Sequence, residues 1–108
     1  MSDAGMNAEL VELVAERFKA LGEPARLRIL QSLRTSEKAV TELMRDTGLS
    51  QANTSRHLQL LYSLGFVARR KEGAYVLYRL ADDSVLRLCD LMCGRLEQQL
   101  QADRALFP

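Results

Sequence analysis

Residues 40–58 form the stretch VTELMRDTGLSQANTSRHL, which determines how the rest of the chain is interpreted. Apolar residues at helical spacing precede Gly48, and glycine accepts the left-handed conformation that is common just after a helix. Ser50 then supplies a hydroxyl that can cap a second helix. A helix, a short turn with glycine and a second helix form the motif that places its second helix in the major groove of DNA. The sequence therefore predicts a helix-turn-helix over about residues 39–64.

The second helix of this motif, over about residues 51–64, is predicted to have two different faces. At about 100° per residue, one side gathers larger residues that can pack inward, namely Thr54, Leu58, Leu61 and Leu64. The opposite side is small and polar, and glutamine and arginine there can pair with the edges of adenine and guanine. No acidic residue lies between Asp46 and Glu72 to repel phosphate. The predicted DNA contacts of this segment are Ser50, Gln51, Ala52, Asn53, Ser55, Arg56 and Gln59. The alternative is an ordinary helical hairpin packed in a core.

Residues 66–80, FVARRKEGAYVLYRL, predict a β-hairpin with a basic tip. Valine, leucine and the aromatic residues favour strands, and Glu72-Gly73 indicates a tight turn between them. Such a hairpin can act as a wing that reaches a flanking phosphate or the minor groove. The predicted contacts are Arg69, Arg70 and Lys71. The alternative is an edge strand whose charges protect it from aggregation.

Positive charge is concentrated in this part of the chain. Residues 49–81 contain five basic residues and one acidic residue, a net charge of +4, whereas the remainder holds ten basic and thirteen acidic residues, a net charge of −3. This asymmetry favours a local surface that binds a polyanion on a mildly acidic body. A solvated basic face without a partner is the alternative.

Helical spacing of apolar residues predicts the remaining elements. A first helix over about residues 8–21 precedes a second over about Pro24–Arg34. The first helix of the motif is predicted to start at or near Ser36, and a last helix is expected over about residues 83–101. The fold class is thus mainly α with a small β-hairpin, a winged helix-turn-helix in the order α-α-α-α-β-β-α.

Length and composition restrict the class of protein. A chain of 108 residues suits one domain, which we place over residues 1–108. The sequence has no apolar run of about 18 residues, and its first residues lack the layout of a signal peptide, so we expect a cytoplasmic protein without a membrane segment. There is no glycine-rich phosphate loop and only one histidine, which argues against an enzyme. That histidine, His57, is expected to be packed and hydrogen-bonded.

Several segments together give the chain a family resemblance. They are FKALGEPARLRIL at residues 18–30, GLSQANTSRHL at 48–58, LGFV at 64–67 and YRL at 78–80. On these segments the chain resembles the ArsR/SmtB family of prokaryotic winged-helix repressors over about residues 14–100. The resemblance implies a homodimer built on the first and last helices, double-stranded DNA with a two-fold symmetric operator as the partner, and release by an effector in many members.

Two departures from the family pattern concern metal sites. Members with a metal site on the third helix carry Cys-Val-Cys, where this chain has Ala39-Val40-Thr41. Members with a zinc site on the last helix need histidines there, and this last helix has none. The resemblance therefore does not imply a zinc sensor.

Cys89 and Cys93 lie four residues apart on the predicted last helix and face the same way. They are candidates for a site that binds As(III) or another thiophilic metal, with a third ligand from the partner or from solvent. They are also candidates for oxidation, although a disulfide within one helix would be strained. The third interpretation is that both are buried small residues, that no cofactor binds and that no small effector acts. A dimeric protein-interaction module is the hypothesis that involves no DNA.

Overall fold

A computed structural model describes residues 5–106 of the chain. Residues 1–4 and 107–108 of the predicted domain lie outside the described part.

The helices begin and end where the sequence supplies caps. The first helix, α1 (Ala8–Leu21), is capped by Asn7, whose Oδ1 accepts a hydrogen bond from the Leu10 amide at 2.8 Å. The second helix, α2 (Pro24–Ser32), begins with proline, which needs no backbone partner at that position.

The helix-turn-helix is formed by α3 (Val40–Thr47) and α4 (Gln51–Ser63). Gly48 ends α3 at a φ of +75°, and the Ser50 hydroxyl caps α4 by accepting a hydrogen bond from the Asn53 amide at 3.1 Å. The predicted start of α3 near Ser36 is wrong. The backbone before Val40 is extended because it pairs with a strand.

The β-sheet has three strands rather than the predicted two. Strands β2 (Val67–Glu72) and β3 (Tyr75–Leu80) form the hairpin, and β1 (Lys38–Ala39) adds antiparallel to β3, giving the order β1-β3-β2. Glu72 pairs with Tyr75, so the turn consists of Gly73, at a φ of +60°, and Ala74 rather than Glu72-Gly73. A strand of two residues carries no alternation by which the sequence could have indicated it.

The core lies between α2, α3, α4 and the sheet. Ile29, Leu30, Leu43, Leu58 and Leu61 are all completely buried in it. The last helix, α5 (Ser84–Leu106), follows the sheet and completes the predicted order of helices and hairpin strands. Within residues 5–106, no helix is both long enough and apolar enough to cross a bilayer.

Large apolar side chains remain exposed along α1 and α5. On α1 they are Val11, Leu13 and Phe18; on α5 they are Leu88, Leu91, Met92, Leu96 and Leu100. On α5, Leu88, Met92, Leu96 and Leu100 recur every four residues and so form a row along one side of the helix, the kind of apolar surface through which proteins associate. The single chain therefore presents two apolar helix faces that its own core does not cover.

Candidate nucleic-acid interface

The two faces of α4 have opposite environments. Thr54, Leu58 and Leu61 are buried as predicted, and the Thr54 hydroxyl donates a hydrogen bond to the Ser50 carbonyl at 2.8 Å. Leu64 is half-buried and ends the helix. The exposed residues are Ser50, Gln51, Ala52, Asn53, Ser55, Arg56 and Gln59. All seven predicted contacts of this segment thus lie in solvent, and those within α4 are separated from its buried side.

Hydrogen bonds already orient part of this exposed face. Arg56 donates from Nη2 to the Asn53 side-chain oxygen at 3.1 Å, one helical turn earlier. Ser50 accepts a hydrogen bond as the cap of α4, which leaves its own hydroxyl proton available to a phosphate oxygen. The Asn53 amide and the Arg56 guanidinium are therefore held together in the N-terminal half of α4. In helix-turn-helix proteins, the N-terminal residues of the second helix are the ones that contact base edges.

The wing is tied to α4 by an aromatic contact. The Arg69 guanidinium carbon lies 3.9 Å from the centre of the Tyr62 ring, a cation–π distance. Tyr62 is near the end of α4, so the contact joins α4 to β2. The sequence did not indicate this role for Tyr62, because the contact depends on how the hairpin folds back on the helix.

Arg70 is held by two carboxylates. Its Nε and Nη2 both donate to Glu37, a paired geometry, and Nη2 also donates to Glu72 at 3.0 Å. The hydrogen bond from Arg70 is the main reason that the pKa of Glu37 is lowered. Arg70 thus fastens β2 across the sheet to the segment before β1, whereas Lys71 forms no ion pair with any residue in the described range.

His57 connects α4 to the corner between α1 and α2. It is 9% exposed, and its Nδ1 lies 3.4 Å from Nη1 of Arg26. Arg26 also donates from Nε to the Ala20 carbonyl, in the last turn of α1, at 2.6 Å. Burial, followed by the charges of Arg26 and Arg56, lowers the pKa of His57, so the neutral ring accepts from Arg26. The prediction of a packed, hydrogen-bonded histidine is confirmed.

The cysteines lie away from α4, in an apolar groove of about 450 Å³ between α1, α2 and α5. Both thiols line it, together with apolar side chains such as Phe18 and Met92. Cys89 is half-buried and Cys93 is exposed, and burial, with a smaller effect of Cys93, raises the pKa of Cys89. Among the described residues, no three histidine, cysteine or acidic side chains are grouped closely enough to hold a metal ion.

The groove has a charged rim formed by one ion pair. Arg34, in the turn after α2, donates from Nη2 and Nη1 to the two carboxylate oxygens of Asp90 on α5, at 2.8 and 3.3 Å. Arg34 is also close enough to favour the ionised form of Cys89. This pair connects the turn after α2 to α5 beside both thiols.

A helix-turn-helix followed by a β-hairpin that folds back on it defines the winged helix-turn-helix class of proteins. The sequence model of the family described as "Bacterial regulatory protein, arsR family" matches residues 23–69 of this chain. Together with the relatives below, this match shows that the chain belongs to the arsR family of bacterial regulatory proteins.

The chain is similar to regulators from several organisms. It is 40% identical over 80 residues to an HTH-type transcriptional regulator of Mycobacterium tuberculosis strain H37Rv, covering 73% of this chain and 70% of that protein. It is 34% identical to a "probable mercury resistance operon repressor" of Streptomyces lividans, covering 87% and 71%. The solution structure of a homodimeric winged helix-turn-helix DNA-binding domain from Mycobacterium bovis superposes with a TM-score of 0.80 at 36% identity, covering 94% and 93%.

The lowered pKa of His57 predicts a specific pH dependence of stability. A histidine with an ordinary pKa of 6.5 in the unfolded chain binds a proton more readily than the buried ring. The free energy of unfolding should therefore be level above about pH 6.5 and fall as the pH drops below it. Chemical denaturation at pH values from about 7 down to about 5.5 measures this fall.

The control is His57→Gln, which removes the titrating ring, and its curve should be flatter over the same range. The carboxylates with lowered pKa values, such as Glu37 and Asp90, lose their contribution only nearer or below their ordinary values of 4.5 and 3.8. Equal slopes for the two proteins above about pH 5.5 would contradict the assignment.

Proposed function

We propose that this protein is a DNA-binding transcriptional repressor that acts as a homodimer in the cytoplasm. The observation that carries the proposal is the exposed side of α4, which has no acidic residue, while the opposite side of the helix is buried in the core. A helix meant only for solvent would more often carry glutamate and lysine there. Membership of the arsR family and the regulators to which the chain is similar support the same function.

In this proposal α4 lies in the major groove. Gln51, Arg56 and Gln59 read base edges, because amide and guanidinium groups present paired hydrogen bonds to adenine and guanine. Ser50, Asn53 and Ser55 supply short polar groups for phosphates or bases, and Ala52 lets the helix approach closely. The hydrogen bond from Arg56 to Asn53 is then exchanged for, or shared with, a contact to DNA.

The wing in this proposal contacts the DNA backbone beside the helix. Lys71 supplies the contact to a phosphate most directly, because it has no carboxylate partner among the described residues. Arg69 and Arg70, also predicted to contact DNA, are engaged by Tyr62 and by Glu37 and Glu72. These contacts hold the wing at a set angle to α4. They also place two further positive charges on β2 beside Lys71.

The apolar faces of α1 and α5 are proposed as the dimer interface. The row of exposed apolar side chains along α5, together with Val11 and Phe18 on one side of α1, is typical of a surface through which proteins associate. The superposable domain from Mycobacterium bovis is homodimeric, which supports the association of two copies. Two copies related by a two-fold axis would present two α4 helices, and the operator would then have two-fold symmetry with half-sites about one helical turn apart.

Release from DNA is proposed to occur through Cys89 and Cys93. Both thiols lie on α5, so a soft metal, a metalloid or a thiol-reactive species bound there would alter the proposed dimer helix. The similarity to a mercury resistance operon repressor of Streptomyces lividans favours an effector of this chemistry. The alternative is a repressor of the same fold without a metal site, controlled by oxidation or by no small effector.

The function is tested by selecting duplexes from a random-sequence library with the purified chain. We expect enrichment of a two-fold symmetric site. On that site Arg56→Ala should weaken binding by roughly 1–3 kcal/mol, because a base contact is lost. Arg28→Ala, which removes an exposed arginine on α2 outside the proposed interface, is the control and should bind as the wild type does. Failure to enrich any sequence would refute the function.

The wing makes a separate prediction about salt. Fluorescence anisotropy at several salt concentrations gives the slope of the logarithm of affinity against the logarithm of salt concentration. Lys71→Ala should make that slope shallower by about 0.9, as expected for one lost phosphate contact. Arg45→Ala, on the exposed side of α3, tests whether any lost charge has this effect. A Lys71→Ala slope equal to that of the wild type would remove Lys71 from the interface.

Dimerisation is tested with a charge placed on the apolar face of α5. Met92 is 60% exposed in the single chain, so Met92→Glu should leave the fold intact while it dissociates the dimer and abolishes specific DNA binding. Analytical ultracentrifugation measures the association state. Gln101→Glu adds the same charge on the opposite side of α5 and should remain dimeric. A dimeric Met92→Glu protein would show that the interface lies elsewhere.

A further inference from the structure

The segment that leads into β1 is bonded to two different parts of the molecule. Glu37 precedes the strand, and Lys38 is its first residue. Adjacent residues of an extended chain point to opposite faces, so these two side chains can reach different elements. Glu37 bonds to the hairpin, whereas Lys38 bonds to the ends of two helices.

Lys38 ties the start of β1 to the ends of α2 and α3. Its Nζ donates to the Asp46 carboxylate at 2.6 Å and to the Ser32 hydroxyl at 3.2 Å, and that hydroxyl donates to the same carboxylate at 2.6 Å. The Lys38 side chain is 17% exposed, so salt screens this cluster less than an ordinary surface pair. The Ala39 amide also donates to the Glu42 side chain, in the first turn of α3, at 3.1 Å. β1 is therefore fixed to the helix-turn-helix.

Glu37 ties the same segment to the outer part of the hairpin. In the sheet, Ala39 pairs with Leu77 on β3, and Leu77 pairs with Arg70 on β2. Glu37 therefore reaches across β3, and its two carboxylate oxygens accept from Nε and Nη2 of Arg70. β2 is an edge strand, and a hairpin without further contacts is marginally stable. The paired bond thus restrains β2 at the residue before Lys71.

We propose that Glu37 and Lys38 are positioning residues for DNA binding, which act by holding the wing in place relative to the helix-turn-helix. The inference rests on the proposed function, because Lys71 is the phosphate contact that is positioned. Lys71 follows Arg70 on β2, so a wing that is fixed at Arg70 presents Lys71 at a set place relative to α4. A wing that is free to move must be ordered when DNA binds, and that ordering reduces affinity. An acidic side chain thereby strengthens the binding of a polyanion.

Glu37 has two opposite effects on the affinity for DNA. Its charge repels phosphate and occupies Arg70, so removing it would tighten binding if charge alone mattered. Its position restrains the wing, so removing it would weaken binding. Exposed ion pairs usually contribute little, but an arginine paired in this way with a carboxylate within a charge network is the exception. Arg70 has both features, since it also bonds to Glu72 at 3.0 Å. We therefore expect the loss of position to outweigh the gain in charge.

Glu37→Gln separates the two effects by their sign. Fluorescence anisotropy on the selected duplex should show an affinity about two- to fivefold lower than that of the wild type, the range of a well-formed surface ion pair. In a Lys71→Ala background the same substitution should have no further effect, because the residue that it positions is absent. Tighter binding by Glu37→Gln, an unchanged affinity, or an equal loss in both backgrounds would overturn the proposal.

A matched control removes the other carboxylate from the same guanidinium. Glu72 lies two residues from Arg70 on the same strand, so its bond links no two elements. Glu72→Gln should bind at least as tightly as the wild type, because negative charge leaves the wing while the bond to Glu37 stays. Asp46→Ala also removes a negative charge, but it should weaken binding, because Lys38 loses its carboxylate partner. A loss for Glu72→Gln equal to that for Glu37→Gln, or tighter binding by Asp46→Ala, would refute the role of position.

The motion of the wing is measured separately, on the full chain without DNA. Nuclear magnetic relaxation of backbone amides should give a lower order parameter at Lys71 in Glu37→Gln than in the wild type, with no change in α4. This result without enrichment of any duplex would refute the proposed function while showing that Glu37 restrains the wing. Specific binding of the selected duplex, with equal order parameters in the two proteins, would keep the function and overturn the inference.

Discussion

The burial of one side of α4 is the interaction on which the rest of the structure depends. Thr54, Leu58 and Leu61 are removed from water against α2, α3 and the sheet. Because a helix is a rigid rod of fixed handedness, seating these three side chains also determines where every other side chain of α4 points. The exposed polar face of α4 is thus a consequence of hydrophobic packing on its other side, and the residues on it can vary without any change in the core.

Much of this arrangement could be predicted from the sequence. Gly48 and Ser50 mark the turn of the helix-turn-helix, and helical spacing separates the inner and outer faces of α4, because both signals act within a few residues. Strand β1 was missed, since two residues show no periodicity and form a strand only because β3 lies beside them. The start of α3 was misplaced for the same reason.

The contacts that hold the wing could not be predicted either. Glu37 and Arg70 are 33 residues apart, and nothing in either segment indicates the other. In the sequence, Tyr62 has the helical spacing of an ordinary surface residue of α4. Its contact with Arg69 forms only when the hairpin folds back on the helix. Long-range polar pairs of this kind depend on the register of the sheet, which places Arg70 opposite Leu77 and therefore on the face that Glu37 can reach.

Arg26 has a geometric consequence for a two-fold assembly. The Arg26 guanidinium contacts both the last turn of α1 and the middle of α4, so it links the helix with an exposed apolar face to the helix with the exposed polar face. If two copies pair about a two-fold axis, a rotation of α4 about this contact would be repeated in the partner, and the separation of the two α4 helices would change by up to twice the displacement of either one. Because the helical repeat of DNA is fixed, such a change in separation would disturb the fit of both α4 helices to a duplex at the same time. A small movement at the Arg26 contact would therefore have a large effect on that fit.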